Sequence, residues 1–447
     1  MQTSSSPTGF LGLGIAPALL EIIGKLGIQE PTPIQRQAIP VAMEGNDVVG
    51  IAQTGTGKTL AFGVPMLQRL AQHKGRGLVL LPTRELAIQV DEALKKLGSS
   101  IGLRTAVLIG GVPMGGQLHA LRTMPHVIVA TPGRLIDHMT QGTISLKEIK
   151  ILVLDEADRM LDMGFAPQLK RIFETIPTER QTMLFSATMP TDIVQIARKH
   201  MKQPTQVEIA RQGTTADTIA QELFIVRKEE KPRLISKILQ ERKGSTLVFC
   251  RTKHGARKLT RSIRGMGYTA AEIHSDRTQG QRQMALQGFR NGSFRVLVAT
   301  DIAARGIDVK GVELVINFDL PDQAEDYVHR IGRTGRAGAS GVAISFATSD
   351  QLRDVRTIER LIRIPLPVTP LPELPELPPA SLLAAETSYD RPSYSGRSSR
   401  GGSSGSSGRS YSGGGSRSYG GGGGGYRGGA SRGPSRSRAP RGAHSYS

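Results

Sequence analysis

Residues 52–59 read AQTGTGKT, between the apolar run DVVGI and a helical pattern. Gly55 and Gly57 let backbone N–H groups turn inward on an anion, with Thr54 and Thr56 completing the loop. Lys58 carries a point charge that can reach the outer phosphates of a nucleotide, and Thr59 offers a hydroxyl to Mg²⁺. The start of the helix adds partial positive charge. Ala52 stands where the general loop pattern has glycine. Further along, ILVLDEADRM at 151–160 runs four apolar residues straight into Asp155, Glu156 and Asp158. Carboxylates this close repel one another and resist burial, so they call for a cationic partner. Asp155 is placed to hold Mg²⁺, directly or through water, and Glu156 to orient and deprotonate an attacking water. The chemistry these two segments serve together is hydrolysis of ATP. Asp158 suits hydrogen bonding within the domain at least as well as direct chemistry.

The elements that must position these groups are legible around them. DVVGIA, GLVLLP, TAVLIG, HVIVAT, KILVLD and TMLFSA lack alternation and read as strands of a parallel sheet covered on both faces. PALLEIIGKL, KTLAFGVPMLQRL and RELAIQVDEALKKL read as helices, which makes a doubly wound α/β domain over 10–207 after a loose N-terminus at 1–9. The polar stretch EIARQGTTADTIAQ reads as a linker, set at 208–217. The pattern restarts over 218–363 with the strands STLVFC, TAAEIH, RVLVAT, ELVINF and GVAISF. Proline-rich 364–380 predicts an extended spacer, and the Gly/Ser/Arg/Tyr-rich 381–447 predicts a disordered tail.

The chain has 447 residues and a formal net charge of +20, which favours a polyanionic partner, most simply nucleic acid. The tail contributes ten arginines against Glu386 and Asp390, with Tyr389, Tyr394, Tyr411, Tyr419, Tyr426 and Tyr446 among them. Tyrosine can stack on bases and arginine can pair with phosphates, so the tail is expected to raise RNA affinity and promote annealing. The single cysteine, Cys250, excludes an intramolecular disulfide and sits in the strand-like STLVFC as a small core residue. No stretch approaches the roughly 18 apolar residues of a membrane span, and MQTSSSPTGF has no signal-peptide pattern. A cytoplasmic monomer is expected.

AQTGTGKT with DEAD at 155–158 resembles the DEAD-box ATP-dependent RNA helicases of superfamily 2, and the likeness runs over about 10–345. It implies two tandem RecA-like parallel-sheet domains. GIQEPTPIQ at 27–35 resembles the family's Q motif, which implies that Gln35 reads adenine and that Phe10 stacks on it; Ile28 stands where an aromatic residue is usual. PTRELA at 82–87, Gly110-Gly111 and TPGR at 131–134 resemble RNA-gripping motifs, implying contacts from Pro82, Thr83, Arg84, Gly110, Gly111, Thr131 and Arg134. SAT at 186–188 resembles the motif coupling nucleotide state to closure through Ser186 and Thr188.

In the second half, VFCRTK at 248–253 resembles motif IV, with Arg251 toward RNA. HSDRTQGQR at 274–282 resembles the segment whose Gln279 and Arg282 couple the domains, with Ser275 where glycine is usual. ATDIAARGID at 299–308 resembles motif V, implying Thr300 on RNA phosphate and Asp308 on the ATP ribose. HRIGRTGR at 329–336 implies Arg333 and Arg336 as arginine fingers, with His329 in an orienting role.

The resemblance implies ATP and Mg²⁺ as cofactors, and single-stranded RNA and short duplexes as substrates, bound with little sequence preference. Ribonucleoprotein or RNA-decay partners fit the same picture. Two other functions use the same motifs: an ATP-gated RNA clamp in which unwinding is incidental, and a DNA-directed helicase of the same superfamily. ADRMLDMGF at 157–165 with a basic tail looks most like the bacterial RhlE-type branch.

Overall fold

The computed structural model describes residues 9–53, 55–209, 219–304, 312–335 and 341–376. The first sheet is built from β1 (Val48–Ile51), β2 (Arg76–Leu80), β3 (Thr105–Leu108), β4 (Val127–Ala130), β5 (Ile149–Leu154), β6 (Gln181–Ser186) and β7 (Thr205–Glu208), in the order β3-β4-β2-β5-β6-β1-β7. The second is built from β8 (Ile219–Ile225), β9 (Thr246–Phe249), β10 (Ala270–Ile273), β11 (Val296–Ala299), β12 (Leu314–Asn317) and β13 (Gly341–Ala347), in the order β10-β11-β9-β12-β13-β8. Every strand pair is parallel. Parallel strands require crossovers, and the helices supply them on both faces of each sheet. The central strands are therefore buried throughout, and Val127–Ala130 and Leu314–Asn317 expose nothing.

One face of the first sheet packs Phe62, Val64 and Met66 of the helix Lys58–Gln72 with Phe10, Leu13 and Ile15 of the N-terminal segment. The other packs Leu169, Ile172 and Phe173 of the helix Ala166–Thr175. In the second domain, Cys250 is fully buried in the core that surrounds β9, as its apolar setting implies.

Two expectations change. The stretch from 208 to 221 is not all linker: Glu208 closes β7, paired with Ile51, and Ile219–Gln221 opens β8. Both are edge strands, and β7 buries only Val207, so neither advertises itself as an apolar run. Residues 364–376 are not a free spacer either. Pro367 accepts from the Leu223 amide at 2.9 Å, and Thr369 donates to the Leu223 carbonyl at 2.8 Å, so the segment covers the open edge of β8. Arg233 holds it further along, donating to the Leu374 and Pro375 carbonyls at 2.8 and 2.9 Å. Leu366 is buried and Leu374 packs on the second-domain core. Proline lacks an N–H but keeps a good acceptor, so a proline-rich segment can still bond to an edge.

Candidate functional site

In a parallel sheet all strands point the same way, so the loops that leave them gather along one edge. The phosphate loop leaves β1 there. Gly55 and Gly57 have φ of 88° and 89°, a left-handed conformation that glycine adopts without strain. A Cβ at Gly57 would also run into the Gln35 amide. Lys58 is buried, with Nζ donating to the Ala52 carbonyl at 3.0 Å and lying 3.8 Å from Asp155 Oδ1. Gln35 is buried too: its Nε2 donates to Gly57 O at 2.9 Å and its Oε1 accepts from Thr32 N at 3.0 Å. It thus ties the helix Pro33–Met43 to the phosphate loop while keeping one N–H and one lone pair for a base. Phe10 is 6% exposed and packs within the first-domain core, so little of its ring faces outward.

Asp155 follows β5, beside the phosphate loop. Glu156 takes a left-handed backbone conformation (φ 52°, ψ 50°), and its amide donates to Asp155 Oδ1 at 2.9 Å. A non-glycine residue there is strained, and such outliers concentrate at functional sites. Burial pushes the Asp155 carboxyl up to about 6; Lys58 pulls it down, while the Glu156 and Asp158 charges push it further up. One ammonium at 3.8 Å thus does not offset the burial of Asp155, which fits a divalent cation there. Among the described residues no group of three or more His, Cys, Asp or Glu side chains could cage a metal by itself. A cation here would therefore share its shell with phosphate oxygens and water.

Asp158 bonds instead to the segment at the end of β6. Its Oδ2 accepts from the Ala187 and Thr188 amides at 3.2 and 3.0 Å and from the Thr188 hydroxyl at 2.9 Å. Ser186 Oγ accepts from the Asp158 amide at 3.3 Å. The ends of β5 and β6 are thereby stitched together.

Contacts between the two sheet domains complete the site. Arg282 Nε donates to Glu85 Oε1 at 2.7 Å, with Gln279 Nε2 at 3.3 Å from the same oxygen. Burial, then the nearby Arg282 charge, lowers the basicity of Arg84, and Arg134 adds to it. Arg84 also lies against Gly111 (φ 77°), where a Cβ would strike its guanidinium. Arg134 donates to the Val112 carbonyl at 3.0 Å. Arg84 and Arg282 thus share the neighbourhood of Glu85, Arg134 pairs with Asp137 at 3.4 Å, and Thr83 and Thr131 are buried. A second interdomain pair joins Arg159 to Asp326 at 2.8 Å, both buried.

Residues 32–196 match the DEAD/DEAH box helicase model, and residues 230–338 match the helicase conserved C-terminal domain. The DEAD-box ATP-dependent RNA helicase CshA of Bacillus cereus is 43% identical over 79% of this chain and 68% of its own length. The ATP-dependent rRNA helicase RRP3 of Meyerozyma guilliermondii is 43% identical over 80% of this chain and 76% of its own. The chain belongs to the DEAD-box ATP-dependent RNA helicases. S. cerevisiae Dbp5 bound to RNA and ADP BeF3 superposes with a TM-score of 0.73 at 31% identity, over 81% of this chain and 96% of that one. Mss116p bound to ssRNA and AMP-PNP gives 0.75 at 28% identity, over 83% and 81%.

In this helicase the HRIGRTGR segment divides its arginines. Arg330 is fully buried, bidentate to Asp301 at 2.6 and 2.7 Å, donating also to Asn317 Oδ1 and Asp319 O, with Phe249 beneath it at 5.1 Å. Arg333 is 6% exposed and donates to the His329 carbonyl at 3.3 Å. Arg251 lies 3.1 Å from Asp322, half exposed, and Thr300 follows β11 at the same edge of the second sheet. Thr54, Asp308 and Arg336 lie outside the described residues, as does the tail with its tyrosines.

Sequence reading missed Glu85, Arg159, Asp326 and Arg330. Glu85, Arg159 and Arg330 stand inside quoted motifs, but their partners lie far along the chain or out of pattern. Among the described residues no helix is long and apolar enough to cross a membrane.

Proposed function

We propose that hydrolysis takes place between the phosphate loop and Glu156, and that it proceeds when the two domains are held together on RNA. The observation that carries this reading is the buried Asp155 carboxyl, pushed up to about 6 although Lys58 Nζ lies 3.8 Å away. Lys58 and the amides around Gly55 and Gly57 bind the phosphates, and Gln35 recognises adenine. Thr59 and Asp155 would hold Mg²⁺, which when bound offsets the negative charge of the phosphates. Glu156 positions the attacking water and takes its proton. Arg333, with Arg336, stabilises charge on the transferring phosphoryl group from the second domain.

The Asp158–Thr188 bonds and the Glu85 contacts to Arg282 and Gln279 transmit nucleotide state to the RNA surface. That surface takes the Arg84–Gly111–Arg134 group from the first domain and Arg251 and Thr300 from the second. Its donors suit phosphates and 2′-hydroxyls, so little sequence preference follows, and closure bends one strand and opens short duplexes. The tail adds non-specific RNA affinity, and the helicase acts as a cytoplasmic monomer among ribonucleoproteins.

Steady-state ATPase of wild type and Glu156→Gln, with single-stranded RNA, with DNA and with neither, tests the reading. RNA should stimulate the wild type more than DNA, and Glu156→Gln should lower turnover by about a hundredfold or more. Equal wild-type rates under all three conditions would overturn it in favour of a nucleotide-switched clamp.

A further inference from the structure

The loops that enter the strands of the first sheet collect on the edge opposite the catalytic one, and they carry a second set of cations. A cavity of about 570 Å³ is lined by Arg69, Lys74, Lys150, Arg180 and Lys202 against Asp47 and Glu179. An adjoining cavity of about 430 Å³ shares Lys74 and Lys150 and adds Arg76, Arg104 and Lys147 against Glu148. Each carboxylate is already engaged. Asp47 accepts from the Thr182 and Lys202 amides at 2.6 and 2.7 Å, Glu179 pairs with Lys202 at 2.8 Å, and Glu148 pairs with Arg76 at 3.2 Å. Among the described residues Lys74, Lys147 and Lys150 make no ion pair, and all three are exposed. Three of the four arginines are held by backbone carbonyls: Arg69 by Met43, Arg180 by Pro177 and His200, and Arg104 by Met124. The Nε atoms of Arg69 and Arg180 are buried with no hydrogen-bond partner.

We propose that this strand-entering face of the first domain is a second binding surface for RNA, one that takes the phosphate backbone of strands running past the catalytic edge. Cations in two adjoining cavities repel one another unless a polyanion bridges them, and a single small anion fills only one. Strands of four to six residues separate the two edges, roughly 13–20 Å. A short RNA held at the catalytic edge therefore does not reach this face, whereas a long or folded one can wrap to it. The inference goes beyond the proposed function but rests on it for the identity of the polyanion.

Full-length Lys74→Gln/Lys147→Gln/Lys150→Gln, compared with wild type, tests it; none of the three lysines belongs to the catalytic or RNA-gripping groups named above. ATPase at saturating short single-stranded RNA should be unchanged, which also shows that the variant folds. Affinity for a long single strand should fall about tenfold, and the slope of log affinity against log salt should flatten by about 2. Unchanged long-RNA affinity with an unchanged slope would overturn the proposal, and is the result to expect if the face instead receives an acidic protein. Absence of stimulation by short RNA in the wild type would overturn the underlying ATPase reading, a failure distinct from the first.

Discussion

Asp155, directly after β5, and Arg330, on the helix Ala324–Ile331, are both buried charges, and they are treated in opposite ways. Arg330 has a bidentate carboxylate, an amide oxygen, a carbonyl and an aromatic face. Asp155 has one amide donor and an ammonium at 3.8 Å, and its carboxyl is pushed up to about 6. A completed buried network fixes structure, because every donor is matched. An incomplete one stores electrostatic demand that a ligand can meet. In this protein Arg330 is buried charge used as scaffold, and the proposed site at Asp155 keeps its charge undercompensated.

The sharpest way to break the contrast is Arg330→Met. It leaves Asp301 without its partner, so the second domain should lose about 3–5 kcal/mol, read from urea unfolding. Asp155→Asn should act in the opposite direction. In chelator and without nucleotide it should raise stability near neutral pH by at most about 3 kcal/mol, while abolishing turnover. The sign follows from linkage. The folded carboxyl is pushed up to about 6 from an ordinary 3.8, so its contribution is full below the lower value. It is lost as pH rises through the higher one. The variant should lack that decline, and a wild-type stability profile without it would refute the assignment of Asp155 as undercompensated. The smallest effect belongs to Glu85→Gln, which removes the carboxylate that Arg282 and Gln279 share across the two domains. RNA-stimulated turnover should drop about tenfold, or about 1.4 kcal/mol, with thermal unfolding of the resting protein little changed.

The parts of this arrangement legible in the sequence were local ones. The phosphate loop and the DEAD segment announce themselves because their chemistry needs consecutive residues, and the inner strands do so because burial on both faces leaves an unbroken apolar run. Edge strands β7 and β8 escaped because half their surface is open or covered by other chain. The proline-rich segment escaped because composition predicts extension, whereas docking depends on unpaired amides of β8 that no local pattern reveals. Glu85–Arg282 and Arg159–Asp326 join residues 197 and 167 positions apart, and no short-range spacing encodes such a meeting. Arg330 and Arg333 have the same side chain three positions apart in one motif, and only tertiary contacts distinguish scaffold from site.

Cys250 carries a consequence of a different kind. The thiol is fully buried, and burial, followed by the Asp319 charge, pushes it well above its ordinary range. Since the thiolate is the form that reacts, the chain's one sulfhydryl is closed to oxidants and alkylating reagents for as long as the second domain stays folded. The native protein thus offers a silent background for chemistry at sulfur. Any cysteine introduced on the surface becomes the sole reactive thiol, and two of them, one per domain, could carry a dye pair that follows opening and closing in the otherwise unaltered chain.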